Sequence, residues 1–443
     1  MHRSLLCLAL LATAPLLAQP DQKELAQRID GYVQPHVGWN VFSGVVLLAK
    51  GDEVLFARPY GMANYEFEVP NRLDTRFRIA SINKLFTGVV LSRLTVDKKL
   101  APDDPIAKWF PDFPSSDKIT VSHLARHRSG IRDPKTLRQS ILRSYTPGEA
   151  VAIIAKEPLA TVPGETYSYT TANYTLLAAI IEKITGKSYN EAMRTLLYLP
   201  SGAKDTGDVT TTEVIPRLAN GYMPNPFGPG VAVSGPEDSS WKAGGGASFT
   251  TAADLHRIIR SIYTRKIVPE VEPRNLWPVR KVVERDGVEA SGGMPGTSAY
   301  MAYLIDDEIT VVVLSNNYAG VTGRMGKDIL ALYFGQSPET PPAVSSSAAT
   351  FDPKLLGSYE VPATGWRFDI TMRDGKPLQS YRDSIRQSRV VARSADEYFI
   401  PMDWSVWRLN RDETGNVTGG TMTFVGDPSN PLEFRRIDAT PSK

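Results

Sequence analysis

The sequence predicts an α+β chain in two parts, a helix-flanked antiparallel sheet domain followed by a small antiparallel β domain. Three observations carry this. Within the first 336 residues, β-rich runs stand near both ends (Ser43–Ala57 and Ala299–Leu314) with apolar helical runs between them, which places both chain ends in one sheet. A Pro/Ser/Ala stretch, Gln336–Thr350 (QSPETPPAVSSSAAT), then interrupts the pattern. Beyond it the period shortens to alternating runs separated by turn residues. A length of 443 residues also fits two cores better than one. The expected division is a removed segment 1–18, a sheet domain 19–336, a linker 337–350 and a β domain 351–443.

The elements follow in order. Met1-His2-Arg3 is a short basic lead, and Leu5–Leu17 is a Leu/Ala-rich stretch too short to span a bilayer well. Leu16-Leu17-Ala18 offers a small residue for cleavage, so the expectation is an exported product, periplasmic or secreted. The only cysteine, Cys7, lies in that segment, which leaves the mature chain without a disulfide or a thiolate nucleophile. Gln22–Val33 reads as an amphipathic helix. Ser43–Ala49 and Val54–Ala57 read as strands joined by the hairpin signature Lys50-Gly51-Asp52-Glu53. A helix follows Ser81, another spans Leu176–Ile184 and stops at Thr185-Gly186, and a third runs from Ala252 to about Tyr263 behind Thr250-Thr251. Strands at Ala299–Ile305 and Ile309–Leu314 precede a last helix near Gly326–Tyr333. In the β domain, Trp366, Phe368, Ile370 and Met372 alternate with polar residues up to the turn Asp374-Gly375. Trp407 and Leu409, then Met422 and Phe424, repeat the alternation, which suits a barrel or sandwich. A net charge of +2 without any long Lys/Arg run excludes a nucleic-acid footprint, and no second long apolar stretch predicts a membrane span.

Four segments carry possible chemistry. Phe77-Arg78-Ile79-Ala80-Ser81-Ile82-Asn83-Lys84-Leu85-Phe86 sets a serine and a lysine three apart at a helix start, with Ile82, Leu85, Phe86, Val89, Val90 and Leu94 as a buried face. A serine hydroxyl needs a base within hydrogen-bond reach, and a lysine serves only where burial or positive charge lowers its pKa. Ser-x-x-Lys occurs four times, from Ser81, Ser115, Ser201 and Ser239, and only the first has an apolar helix behind it. Thr120–Ile131 reads as a helix closed by Ser129-Gly130; His123 and His127 have zinc-compatible spacing, but Leu124 stands where zinc protease chemistry wants Glu, so packing or capping roles are expected and no metal. Pro163–Thr171 crowds Tyr167 and Tyr169 just before a helix, where a phenol could carry a proton. Ser291-Gly292-Gly293-Met294-Pro295-Gly296 sets glycines beside the Ala299 strand, as either a plain turn or a place for backbone N–H groups to meet a ligand carbonyl.

Taken in order, these segments resemble the serine β-lactamase and penicillin-binding-protein superfamily, and within it the class C-like branch of hydrolases, D-peptidases and esterases. The resemblance covers roughly Asp30 to Phe334 and rests on the Ser81 segment, "ITVSHLARHRSGI", the Tyr-Ser-Tyr loop leading into "YTLLAAIIEKITGKSY", "GGGASFTTAADL" and "SGGMPG". It implies a sheet flanked by helices with an all-helical subdomain, and an appended lipocalin-like C-terminal barrel. It further implies Ser81 as the acylated nucleophile, Lys84 as its base partner and Tyr169 as the tyrosine of a Tyr-x-Asn motif. Backbone N–H groups of Ser81 and Gly293 would form the oxyanion hole, with Thr171, Ser291 and Gly292 lining the substrate. Two departures stand out: Thr171 replaces the motif's Asn, and Ala290 occupies the place of a Lys or His that meets a substrate carboxylate. The expectation is therefore a cofactor-free hydrolase of small esters or D-amino-acid peptides, rather than an efficient β-lactamase. The rival readings are β-lactamase or penicillin-binding activity, and a catalytically silent peptidoglycan- or peptide-binding homologue.

Overall fold

The computed structural model describes residues 21–139, 143–209, 213–235, 238–339, 349–382, 384, 386–425 and 427–437. The expected cleaved segment with Cys7, and residues 340–348 of the linker, lie outside that set.

The first β-rich run folds as a hairpin, β1 (Gly44–Lys50) and β2 (Glu53–Tyr60), turning at Gly51 with φ of 56°. After more than 200 residues the chain returns to the same sheet with β3 (Arg280–Val282), β4 (Arg285–Met294), β5 (Thr297–Leu304) and β6 (Ile309–Ser315). The order is β3-β4-β5-β6-β1-β2, every neighbouring pair antiparallel. β1 joins β6 in register from Gly44↔Ser315 to Lys50↔Ile309, so the early and late strands do share one sheet. β5 and β6 are buried along their whole length, which explains why they read as continuous apolar runs rather than alternating ones.

Each face of the sheet carries its own core. On one side lie α2 (Asn83–Val96), α3 (Ala172–Thr185) and α4 (Ala252–Tyr263), packed through Phe86, Val90, Leu177, Ile181, Leu255 and Ile259. α3 ends at Gly186 in the left-handed region (φ 67°) and α4 begins with Thr251 Oγ1 accepting from Asp254 N, both as the sequence signals demand. On the other side lie α1 (Gln22–Gly38) and α5 (Thr322–Tyr333).

Several boundaries differ from the sequence reading. α1 runs five residues past Val33, its last turn carrying the buried His36 as well as Pro35. α5 starts a turn before Gly326, which is there for packing: a Cβ at Gly326 would stand 2.3 Å from Tyr300 Cδ1. The helix expected over Thr120–Ile131 is confined to Val121–Ala125, and the chain turns at His127 with φ of 56°. The glycine-rich Ser291–Met294 is the end of strand β4, and only Pro295-Gly296 forms the turn.

The C-terminal part is a nine-stranded antiparallel sheet: β7 (Gly357–Val361), β8 (Trp366–Arg373), β9 (Lys376–Tyr381), β10 (Gln387–Arg389), β11 (Val391–Ala392), β12 (Glu397–Ile400), β13 (Ser405–Arg411), β14 (Val417–Phe424) and β15 (Asp427–Ile437). Its order is β10-β9-β8-β7-β15-β14-β13-β12-β11. The two end strands are neighbours in sequence, separated by Val390 alone, so the sheet curls nearly into a closed barrel. Asp374 and Gly375 both have positive φ (49° and 73°), as the two-residue hairpin turn requires. Phe368 and Ile370 face inward while Trp366 and Met372 are exposed. Tyr359, Phe368, Trp407 and Phe434 fill the interior.

The barrel does not hang free. Its Phe399, Met402, Trp404, Val406 and Val425 belong to the same core as α1 and α5. Trp404 stacks on His36 at 4.2 Å, Phe399 meets Trp39 edge-on at 5.0 Å, and Gly320 N donates to Met402 O at 3.1 Å. Burial pushes the His36 imidazole down to about 3, so it stacks as a neutral ring. Among the described residues, no helix is long and apolar enough to cross a membrane.

Candidate active site

The Ser81 segment is held from three directions. Ile79 N donates to Ser248 O (3.0 Å), Thr297 Oγ1 donates to Arg78 O (2.8 Å), and Ala80 takes a positive φ of 44° before the chain enters α2. An alanine in that region is strained, and the surrounding contacts hold it there. Gly292 is required where it stands: a Cβ at that position would be 2.0 Å from Ile79 O and 2.9 Å from Ser81 N. The serine segment and the end of β4 therefore touch backbone to backbone.

The strand's outer edge faces the cleft. β3 pairs with β4 only from Arg285 to Gly287, and Trp277 Nε1 donates to Glu289 O (3.2 Å) on that same edge. Alternate residues of an antiparallel strand present their N–H and C=O groups to the same edge, so Ser291 and Gly293 present theirs there too, on the Ser81 side.

Lys84 lies one helical step from the serine. Its Nζ stands 3.1 Å from Ser81 Oγ and donates to Gly245 O at 2.6 Å. It is only 3% exposed, enclosed by the rings of Tyr169 and Tyr174 at 4.9 and 5.5 Å. Burial lowers its pKa from 10.5 to about 7; Asp133 opposes that shift and Lys242 adds to it. The amine is thus poised to be free of its proton near neutral pH. The Gly244-Gly245-Gly246 run makes this packing possible, since a Cβ on Gly244 would meet Tyr174 O at 2.5 Å.

Tyr169 OH is 2.8 Å from Ser81 Oγ. Desolvation raises its pKa above 10, so the phenol keeps its proton as a resting group. Half of the residue faces solvent, at 53%, which leaves its hydroxyl within reach of an incoming molecule. Behind it, His127 packs on the Tyr169 ring at 4.5 Å, with burial pushing the imidazole down to about 4. Asp133 accepts from Thr170 Oγ1 (2.5 Å) and Ala172 N (2.8 Å), fixing the loop that carries Tyr169.

The match to known proteins follows this geometry. The β-lactamase family profile matches residues 29–333, more than two thirds of the chain. The chain belongs to the β-lactamase family. Among relatives of this family member, esterase EstB of Burkholderia gladioli is 28% identical over 325 residues, covering 65% of this chain and 82% of that protein. The D-amino acid amidase of Ochrobactrum anthropi superposes with a TM-score of 0.60 at 25% identity, over 70% of this chain and 98% of its own. The octameric penicillin-binding protein homologue of Pyrococcus abyssi shares the fold over 92% of this chain and 99% of its own, with a TM-score of 0.60 at 20% identity. That last likeness includes the C-terminal sheet.

Within this family member, the sequence-read residues fall as follows. Ser81, Lys84 and Tyr169 converge in one cluster, and Gly292 and Gly293 lie beside it. Thr171, half-buried at the start of α3, lies against Gly245, where a Cβ would meet its Cγ2 at 2.9 Å. Ser291 is exposed on the strand, pointing away from the helical face. Ala290 points into the helical-side core and carries no polar group to the cleft. His123 and His127 take separate parts: His123 Nδ1 accepts from Thr120 N in a capping box, while His127 packs behind Tyr169.

Asp133 and Gly245 were not singled out by sequence reasoning as members of the cluster. Lys242 comes from the fourth Ser-x-x-Lys segment, Ser239–Lys242, and acts electrostatically on Lys84. Asp133 lies in a loop without regular structure, and only its proximity to Thr170 reveals its part.

Proposed function

We propose that the chain is an exported serine hydrolase that forms an acyl-enzyme at Ser81 and acts on small esters or D-amino-acid-containing peptides. The observation that carries this reading is the placing of Ser81 Oγ between Lys84 Nζ (3.1 Å) and Tyr169 OH (2.8 Å), with the lysine lowered to about 7. The neutral amine takes the serine proton as the Oγ–carbon bond forms. Backbone N–H groups of Ser81 and Gly293 hold the developing oxyanion, and a donor of that kind typically supplies about 2.7–4 kcal/mol. Tyr169 relays a proton to the departing oxygen or nitrogen as its bond to the carbonyl carbon breaks, giving its own and taking a replacement from the Lys84 ammonium. Water then attacks the ester, and the same groups return the proton to Ser81.

The substrate class is supported by the likeness to an esterase, EstB, and to a D-amino acid amidase. Export rests on the Leu/Ala-rich segment before Ala18. A second reading, a silent binding homologue, is favoured by Thr171 and Ala290 alone. One experiment separates them: Ser81→Ala abolishes covalent labelling by a fluorophosphonate probe, whereas equal labelling of variant and wild type refutes the nucleophile. Turnover of a nitrophenyl ester should exceed that of a chromogenic cephalosporin, because Ala290 offers no cation at the usual carboxylate position.

A further inference from the structure

The loop that brings Tyr169 to Ser81 is also a patch of exposed apolar surface. Val162, Tyr167 and Tyr169 are 57%, 60% and 53% exposed, and all three stand close together in the chain, just before α3. We propose that Tyr167 is a specificity-determining residue that takes a planar apolar leaving group, so that the favoured substrates are esters or amides whose departing alcohol or amine carries an aromatic ring. The inference rests on the serine-hydrolase reading of Ser81.

The Tyr167 ring is held in place rather than free to swing with its loop. Ser168 N donates to His127 O (2.8 Å) and Gly164 N donates to Arg128 O (2.7 Å), while the Arg128 guanidinium donates to Gly164 O (3.3 Å) and Glu165 O (3.1 Å). Tyr167 meets the His127 ring edge-on at 5.9 Å, and Tyr169 packs on the same imidazole at 4.5 Å. Both phenols therefore project to one side of the loop, backed by a neutral imidazole. Tyr167 has one edge anchored there and most of its surface open. A ring fixed in this way offers a large contact area and loses little freedom when a second ring lies against it.

The chemistry at Ser81 assigns the part of the substrate that lies there. The carbonyl oxygen turns to the N–H groups of Ser81 and Gly293 at the β4 edge. The departing atom turns the other way, to its proton donor, the Tyr169 hydroxyl 2.8 Å from Ser81 Oγ. Whatever that atom carries continues past Tyr169 and meets the next exposed ring of the loop, which is Tyr167. The two phenols are near enough to couple: desolvation is the main cause of the raised Tyr169 pKa, and Tyr167 adds to it. Contact with the leaving group also acts at one step only. It is present while the Ser81 Oγ–carbon bond forms and the bond to the leaving atom breaks. It is gone once the alcohol or amine has left and water attacks the acyl group.

The test uses the full chain and two acetate esters whose leaving alcohols are matched in acidity, naphthol and hexafluoroisopropanol. Both leave the same acetyl group on Ser81, so deacylation is common to them and kcat/KM reports acylation. The readout is the ratio of kcat/KM for the naphthyl ester to that for the fluoroalkyl ester. Tyr167→Ala lowers this ratio about fivefold, and Tyr167→Phe, which keeps the ring, restores it. A ratio unmoved by Tyr167→Ala overturns the proposal, including the case in which a disturbed loop slows both esters alike. A fall of equal size in Tyr167→Phe overturns the part given to the ring. A second pair, naphthyl phenylacetate and naphthyl acetate, puts the added ring on the acyl side; if Tyr167→Ala lowers their ratio as well, the assignment to the leaving group is overturned. Fluorophosphonate labelling of the wild type is measured alongside. Wild type that fails to label defeats the serine-hydrolase reading itself, whereas normal labelling with an unmoved ratio defeats only the part assigned to Tyr167.

Discussion

The depressed pKa of Lys84 has a consequence that can be measured directly. A lysine in water, at 10.5, is free base in roughly one molecule in 3,000 at pH 7; an amine lowered to about 7 is free base in about half. Burial therefore raises the population of competent base by about a thousandfold, equivalent to about 5 kcal/mol of selective disfavour for the ammonium. The rate of Ser81 labelling by a fluorophosphonate should rise with pH and level off above a midpoint near 7. Two charges tune that midpoint in opposite senses. Asp133 favours the ammonium, so Asp133→Asn moves the midpoint down; Lys242 disfavours it, so Lys242→Met moves the midpoint up. Asn retains an oxygen for Thr170 and Ala172, which protects the loop geometry. The assay is a labelling-rate profile from pH 5 to about 10 for the three proteins. A wild-type midpoint near that of free lysine, or shifts of the same sign in both variants, refutes the electrostatic account. The linked stability effect has a definite sign: the unfolded chain binds a proton that the folded chain lacks between about pH 7 and 10.5, so Lys84 makes the fold more stable as pH rises through that window.

Further expectations concern individual residues. Tyr169→Phe removes the hydroxyl 2.8 Å from Ser81 Oγ and should lower kcat by about 10²-fold or more, with the melting temperature little changed. Gly292→Ala forces a methyl to within 2.0 Å of Ile79 O, so labelling should fall severely; Gly293→Ala meets only Tyr318 at 3.4 Å and should fold normally, as circular dichroism and melting would show. Trp404→Ala empties the contact with His36 at the shared core and should cost about 3–5 kcal/mol, splitting a single calorimetric transition into two as the barrel uncouples.

Much of this organisation was legible beforehand because its signals are local. The Ser81–Lys84 pair, the Gly186 stop, the Thr251 cap and the Asp374-Gly375 turn are each fixed by residues a few positions apart. What escaped depends on contacts that no short window contains. The Gly292 position shows its purpose only once Ile79 lies against it, so a strand with two successive glycines reads as a turn. His127 belongs to a helical pattern by spacing, yet its packing on Tyr169 and the hydrogen bond from Ser168 N to His127 O draw the chain out of the helix. The alternation in the barrel separates inside from outside, but it does not reveal that Phe399, Trp404 and Val406 turn outward to join the core of α1 and α5.

The antiparallel contact between β1 and β6 constrains how the molecule is made. The two partners lie more than 250 residues apart in the chain. At a ribosomal speed of about 5–20 residues per second, the apolar segment Gly44–Ala49 waits roughly 15–50 s before its neighbour is synthesised. Throughout that interval it is an unpaired edge, open to aggregation or to holdase capture. Any fragment that stops short of Ile309 keeps that edge permanently, so shortened versions of the protein should accumulate as insoluble material rather than as smaller working units.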